Sequence, residues 1–90
     1  MTNIEFIRGV LEGIGDTTID LSAYSTDGDY TVYLDENGHV NRYWSCSADE
    51  QVDLDEPGTY TDVEDDLDFI MYALQTEIIK VTNHFKNLMR

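Results

Sequence analysis

Apolar residues open the chain at spacings of three and four, at Ile4, Ile7, Leu11 and Ile14, with Val10 widening the stripe. Residues so spaced share one face of an α-helix, and the pattern predicts an amphipathic helix that packs on a core. Thr2 stands before it and Glu5 three positions later, the arrangement in which side chains satisfy the first unpaired amides of a helix. Gly13 and Gly15 readily adopt the left-handed backbone that ends a helix, which puts the stop near residue 13. From Thr17 to Tyr24 the period falls to two: Ile19, Leu21 and Ala23 alternate with Thr18, Asp20 and Ser22, as in a half-buried strand. The turn cluster Ser25–Gly28 leads to a second strand, Tyr30–Leu34, rich in aromatic and β-branched residues. Asp35–Gly38 (DENG) is the clearest turn in the chain, and a third strand, Val40–Cys46, follows it. Gln51–Leu54 is short enough for an edge strand, but the acids that flank it and Pro57 argue for a loop.

The last segment returns to helical spacing, through Val63, Leu67, Ile70, Met71, Leu74, Ile78, Val81, Phe85 and Leu88. Thr61 is the expected N-cap, with Glu64 at the reciprocal position. A helix of roughly 28 residues is about 40 Å long, more than a three-stranded sheet can cover. Its last turns are expected to project, to pack on the first helix or to pair with a second copy of the chain. The expectation is one α+β domain over residues 1–90: an N-terminal helix, a three-stranded antiparallel meander and a long C-terminal helix, αβββα.

Charge changes this picture more than any motif does. Nineteen acids against five Lys and Arg leave a net charge of −14. Such a surface repels nucleic acid and anionic lipid, so direct binding to either is not expected, and proteins that themselves bind nucleic acid become the natural partners. No run of apolar residues suffices to span a bilayer, and the single Cys46 cannot form an internal disulfide; the expected location is the cytoplasm.

No Lys or Arg lies between Arg42 and Lys80, an interval that holds eleven acids. Ten of these fall between residues 49 and 68: Asp49, Glu50, Asp53, Asp55, Glu56, Asp62, Glu64, Asp65, Asp66 and Asp68. This density begins to approach the phosphate spacing of duplex DNA, about one charge per 1.7 Å. On a helical wheel Asp62, Asp65 and Asp66 lie opposite the apolar stripe while Glu64 and Asp68 flank it, so all five are expected to face solvent. Aromatic residues interleave them at Tyr43, Trp44, Tyr60 and Tyr72, and Tyr60 is the expected anchor in a basic groove. A simpler account assigns the helix acids to the positive end of the helix dipole, with Lys80, Lys86 and Arg90 toward the other end. That account leaves the loop acids Asp49–Glu56 unexplained.

Other chemistry lacks parts. Neither DENG nor DLDE has the alternating oxygen ligands and distant glutamate of a calcium loop. His39 and His84 have no second ligand at zinc spacing and read as surface residues; Cys46, flanked by acids, reads as a packed hydrophobe. Ninety residues leave little room for a walled substrate cleft, so the chain is expected to be no enzyme and to hold no metal or cofactor.

The opening helix (MTNIEFIR), the meander around DENG and the acidic run into a helix (YTDVEDDLDF) together resemble the plan of small phage-encoded inhibitors of host defence, notably anti-CRISPR proteins that block the DNA site of an RNA-guided nuclease. The resemblance covers element order, length and charge over the whole chain, and no functional residue is carried over from it. It implies an inhibitor whose carboxylates stand where DNA phosphates or bases normally meet arginines, in the cytoplasm of a phage's host, with a CRISPR effector or other defence nuclease as partner. An immunity or antitoxin protein covering a basic nuclease toxin needs the same acidity. A homodimer joined through the C-terminal helix and a halophile's acidic domain are the remaining alternatives.

Overall fold

In the computed structural model, residues 2–45 and 50–88 are described, the side chains of residues 81, 82, 84, 85, 87 and 88 excepted. Helix α1 spans Asn3–Gly13, and Thr2 caps it as expected, its Oγ1 accepting the amide of Glu5 at 3.3 Å. Ile7 and Leu11 are fully buried, Ile4 and Val10 pack at the margin, and Ile14, just past the helix end, is exposed.

Four strands follow: β1 (Thr18–Asp20), β2 (Tyr30–Leu34), β3 (Val40–Trp44) and β4 (Glu50–Asp53). They form one antiparallel sheet in sequential order, an α+β meander with one strand more than the sequence pattern predicts. The Gln51–Leu54 segment pairs as an edge strand after all, with Arg42 opposite Val52 and Trp44 opposite Glu50. Its acids are tolerated because Glu50 and Asp53 find cationic partners on β3 and beside it. Pro57 lies beyond the paired residues, where its missing amide costs no ladder bond.

The first strand is shorter than its alternation suggests. Asp20 Oδ1 accepts the Ser22 amide at 2.8 Å, and the chain turns into a single 3-10 turn, Ser22–Tyr24. The Tyr30 carbonyl still accepts the Leu21 amide at 2.8 Å, but the Tyr30 amide donates to Ser22 Oγ at 2.9 Å, so a short polar side chain takes the place of the next ladder bond. The third strand agrees with expectation through Trp44; Ser45, expected to continue it, lies past its end, and Cys46 lies outside the described residues.

Helix α2 spans Val63–Leu88. It begins one residue later than expected: the Asp62 carbonyl accepts the Asp66 amide at 3.2 Å, so Asp62 rather than Thr61 holds the N-cap position. Both helices cover the same face of the sheet, where Ile7, Leu11, Val32, Val40, Ile70 and Leu74 meet. At about 1.5 Å per residue α2 is about 39 Å long, in a molecule of 50 × 27 × 21 Å. It therefore outruns the sheet, and beyond Leu74 Ile78 and Ile79 are 45 % and 61 % exposed. Val81, Phe85 and Leu88, the rest of the predicted stripe, lie outside the described side chains.

The loop into β2 is clamped to the end of β3, with the Ser45 amide donating to the Asp29 carbonyl and Ser45 Oγ accepting the Asp29 amide. Gly28 sits inside this clamp at φ +87°, and a Cβ there would lie 2.1 Å from the Ser45 carbonyl oxygen. Gly38 also has positive φ but open space around it. Gly38→Ala should cost about 1–2 kcal/mol, the left-handed penalty alone. Gly28→Ala should cost clearly more in urea denaturation; equal losses would show that the clamp carries no weight.

Candidate functional site

Strand parity puts Val40, Arg42 and Trp44 on the core face of β3, and register aligns Ile19, Val32, Arg42 and Val52 in one row across the sheet. A guanidinium thus stands in an apolar row with no solvent exposure. Its partners come from three places. The Glu50 carboxylate pairs with it from β4, whose carbonyl at the same residue accepts NH1 at 3.0 Å. The Tyr60 hydroxyl accepts NH2 at 2.9 Å, and Asp66 on α2 accepts it at 3.2 Å. Asp66 also accepts the Tyr30 hydroxyl at 2.8 Å and that of Tyr60. Burial works against the charge on Arg42, but the hydrogen bonds it donates to Glu50 and Tyr60 and the charge of Asp66 outweigh it, so the guanidinium is held more firmly protonated than usual. Burial first, and Asp66 second, push the Tyr60 hydroxyl up to about 12.

This network corrects two expectations. Asp66 is not a solvent-facing carboxylate: it is 8 % exposed and anchors α2 to the sheet. Tyr60 is half-buried with its hydroxyl committed inside, not a free anchor. The wheel erred because it centred the buried arc on the large apolar residues. Ala73, seven positions after Asp66, is also buried and widens the arc toward it. The available signal was Arg42 itself, a charge at a core-parity position that requires a carboxylate from elsewhere.

The loop acids are mostly spoken for as well. Asp55 pairs with Arg8 of α1 and accepts the Val40 amide at 2.7 Å. Asp53 accepts the amides of Asp55 and Glu56 at 2.9 and 3.0 Å and meets His39 Nδ1 at 2.8 Å. That bond raises the His39 pKa, so His39 is a half-buried ion-pair partner and not the free surface histidine expected. Asp35, His39 and Asp53 offer one ligand atom each within 4.8 Å of one another. Glu56 is exposed, and Asp49 lies outside the described residues.

Asp62, Glu64, Asp65 and Asp68 are exposed on the first turns of α2. Asp65, Asp68 and Tyr72 share one face at i, i+3 and i+7, and Tyr72 is 64 % exposed. The exposed aromatic residue among the helix acids is therefore Tyr72, where Tyr60 was expected. The two cations of the protein's body, Arg8 and Arg42, are both held in internal ion pairs, and Lys80 lies 3.9 Å from Glu77. Among the described residues no ion pair neutralises the acids of this helical face.

A small open depression of about 160 Å³ lies nearby, lined by Tyr24, Tyr30, Trp44, Asp66 and Phe69 among others. Among the described residues no helix is long and apolar enough to cross a membrane. No protein family, no curated protein and no solved structure matches the chain.

Asp66→Ala should cost about 3–5 kcal/mol, because it leaves a buried guanidinium short of its counter-charge. Asp65→Ala, one residue away and exposed, should change stability by about 0.5 kcal/mol or less. Paired urea titrations check the contrast, and similar losses would refute the anchoring role of Asp66.

Proposed function

We propose that this chain is a non-catalytic inhibitor whose acidic α2 face occupies the basic nucleic-acid-binding surface of a partner protein, in the manner of a nucleic-acid mimic. The observation that carries this reading is the lack of neutralisation among the described residues: Asp62, Glu64, Asp65 and Asp68 stay exposed while Arg8 and Arg42 are bound elsewhere. Tyr72 adds an aromatic surface to the same face, of the kind that supplies residence time at interfaces. Electrostatic steering would make association fast and sensitive to salt, since exposed charges are screened over about 8–10 Å. In keeping with the resemblance of plan, the partner is a host CRISPR effector or other defence nuclease, and inhibition is competition for its DNA site.

A second reading, self-association through α2, is favoured by the exposure of Ile78 and Ile79 where the helix outruns the sheet. Sedimentation distinguishes the two, because only self-association depends on the chain's own concentration.

The direct test is a pull-down from host lysate with the captured proteins identified, comparing wild type with a triple variant, Asp62→Asn with Asp65→Lys and Asp68→Lys. Asn keeps the N-cap, and Asp66 is left alone because the core needs it. The wild type should capture a nucleic-acid-binding protein that duplex DNA or high salt displaces, and the variant should lose it while keeping its melting profile. Capture that DNA does not displace, or that the variant retains, would remove the mimicry reading.

A further inference from the structure

We propose that Asp35, His39 and Asp53 form a binding site for a divalent transition metal at the turn end of the β2–β3 hairpin, with zinc the ion whose chemistry it fits. The three residues come from separate parts of the sheet: Asp35 follows β2, His39 precedes β3 and Asp53 ends β4. Register brings them together, since Asn41 of β3 pairs with Asp53. Their ligand atoms lie within 4.8 Å of one another, and His39 Nδ1 is 2.8 Å from Asp53 Oδ2. A tetrahedral zinc ion with bonds of about 2.0–2.1 Å sets its ligands roughly 3.4 Å apart, so modest side-chain rotation closes the set.

Both carboxylates are already aimed. Asp53 Oδ1 accepts the amides of Asp55 and Glu56, which leaves Oδ2 toward the imidazole. Asp35 Oδ1 accepts the amides of Asn37 and His39 at 2.9 and 3.0 Å, and its Oδ2 accepts Asn41 Nδ2 at 2.8 Å. Supporting bonds of this kind orient the ligands of protein metal sites. An Asx turn at Asp35 and an ion pair at His39 would each be complete alone. Neither requires two carboxylates and an imidazole to gather within 4.8 Å of one another, an arrangement whose like charges repel and which a dication relieves.

The surroundings favour a cation. Glu56 and Asp35 act on His39 electrostatically beside Asp53. The Arg8 guanidinium is engaged by Asp55 and by the Gly38 carbonyl at 3.1 Å. A nitrogen ligand beside two oxygens selects zinc or a similar ion over calcium and magnesium, which take oxygen alone. Side chains about a quarter exposed leave a coordination position to water.

Calorimetric titration of the full chain with zinc chloride, in excess magnesium to saturate diffuse binding, should give one zinc per chain. His39→Gln and Asp53→Asn should each weaken it by at least about tenfold, while Asp65→Asn leaves it unchanged. On the unaltered protein, zinc should shift the His39 ring resonances and not those of His84, a readout that needs no variant. Absence of a one-to-one isotherm, affinity untouched by His39→Gln, or zinc on His84 instead would each overturn the proposal.

Discussion

A guanidinium in the middle of an apolar row dictates how the rest of this small protein is arranged. Removing Arg42 from water costs several kcal/mol, and the cost is offset only where counter-charges and acceptors converge on it. The convergence draws on most of the fold: β4 supplies Glu50, the following loop Tyr60 and helix α2 Asp66. The rings of Trp44 and Tyr60 lie 6.0 and 5.3 Å from the guanidinium carbon, adding cation–π attraction. Only Nε finds no hydrogen-bond partner among the described residues. Apolar packing is non-directional and tolerates rotation of a helix on a sheet, whereas the Asp66 contact sets which side of α2 faces inward.

That orientation decides which acids are available to a partner. With Asp66 turned in, Asp65 and Asp68 turn out, and Tyr72 joins them one turn later. The acid-rich stretch thus divides by role. Glu50, Asp53, Asp55 and Asp66 bind the fold's own cations, amides and hydroxyls, while Asp62, Glu64, Asp65 and Asp68 are exposed. Charge density counted along the chain therefore overstates the interacting surface, and the exposed part concentrates on the helix.

An acidic chain tolerates four adjacent strands here because its carboxylates find partners within the sheet and its turns. Asp35 and Asp53 lose much of their electrostatic cost by accepting backbone amides and meeting His39, and both are held below the usual carboxylate range. For Asp35 the His39 amide is the main cause; for Asp53, burial opposes the shift and the His39 bond with the two amides outweighs it. Carboxylates serve here as the caps and turn locks that a less charged sequence would build from Ser and Asn.

By itself the sequence determined both helices, the two central strands and the sign of the surface. Period and capping are local properties, and Thr2, the DENG turn and the stripe from Val63 to Leu74 carry them in a few consecutive residues. Strand β4 was hidden because its acids argue against a strand until Arg42 and His39, residues apart in sequence, neutralise them. The inward turn of Asp66 was hidden for the same reason, and so was the meeting of Asp35, His39 and Asp53. A buried charge takes its meaning from its partner, and only the tertiary structure decides who that partner is.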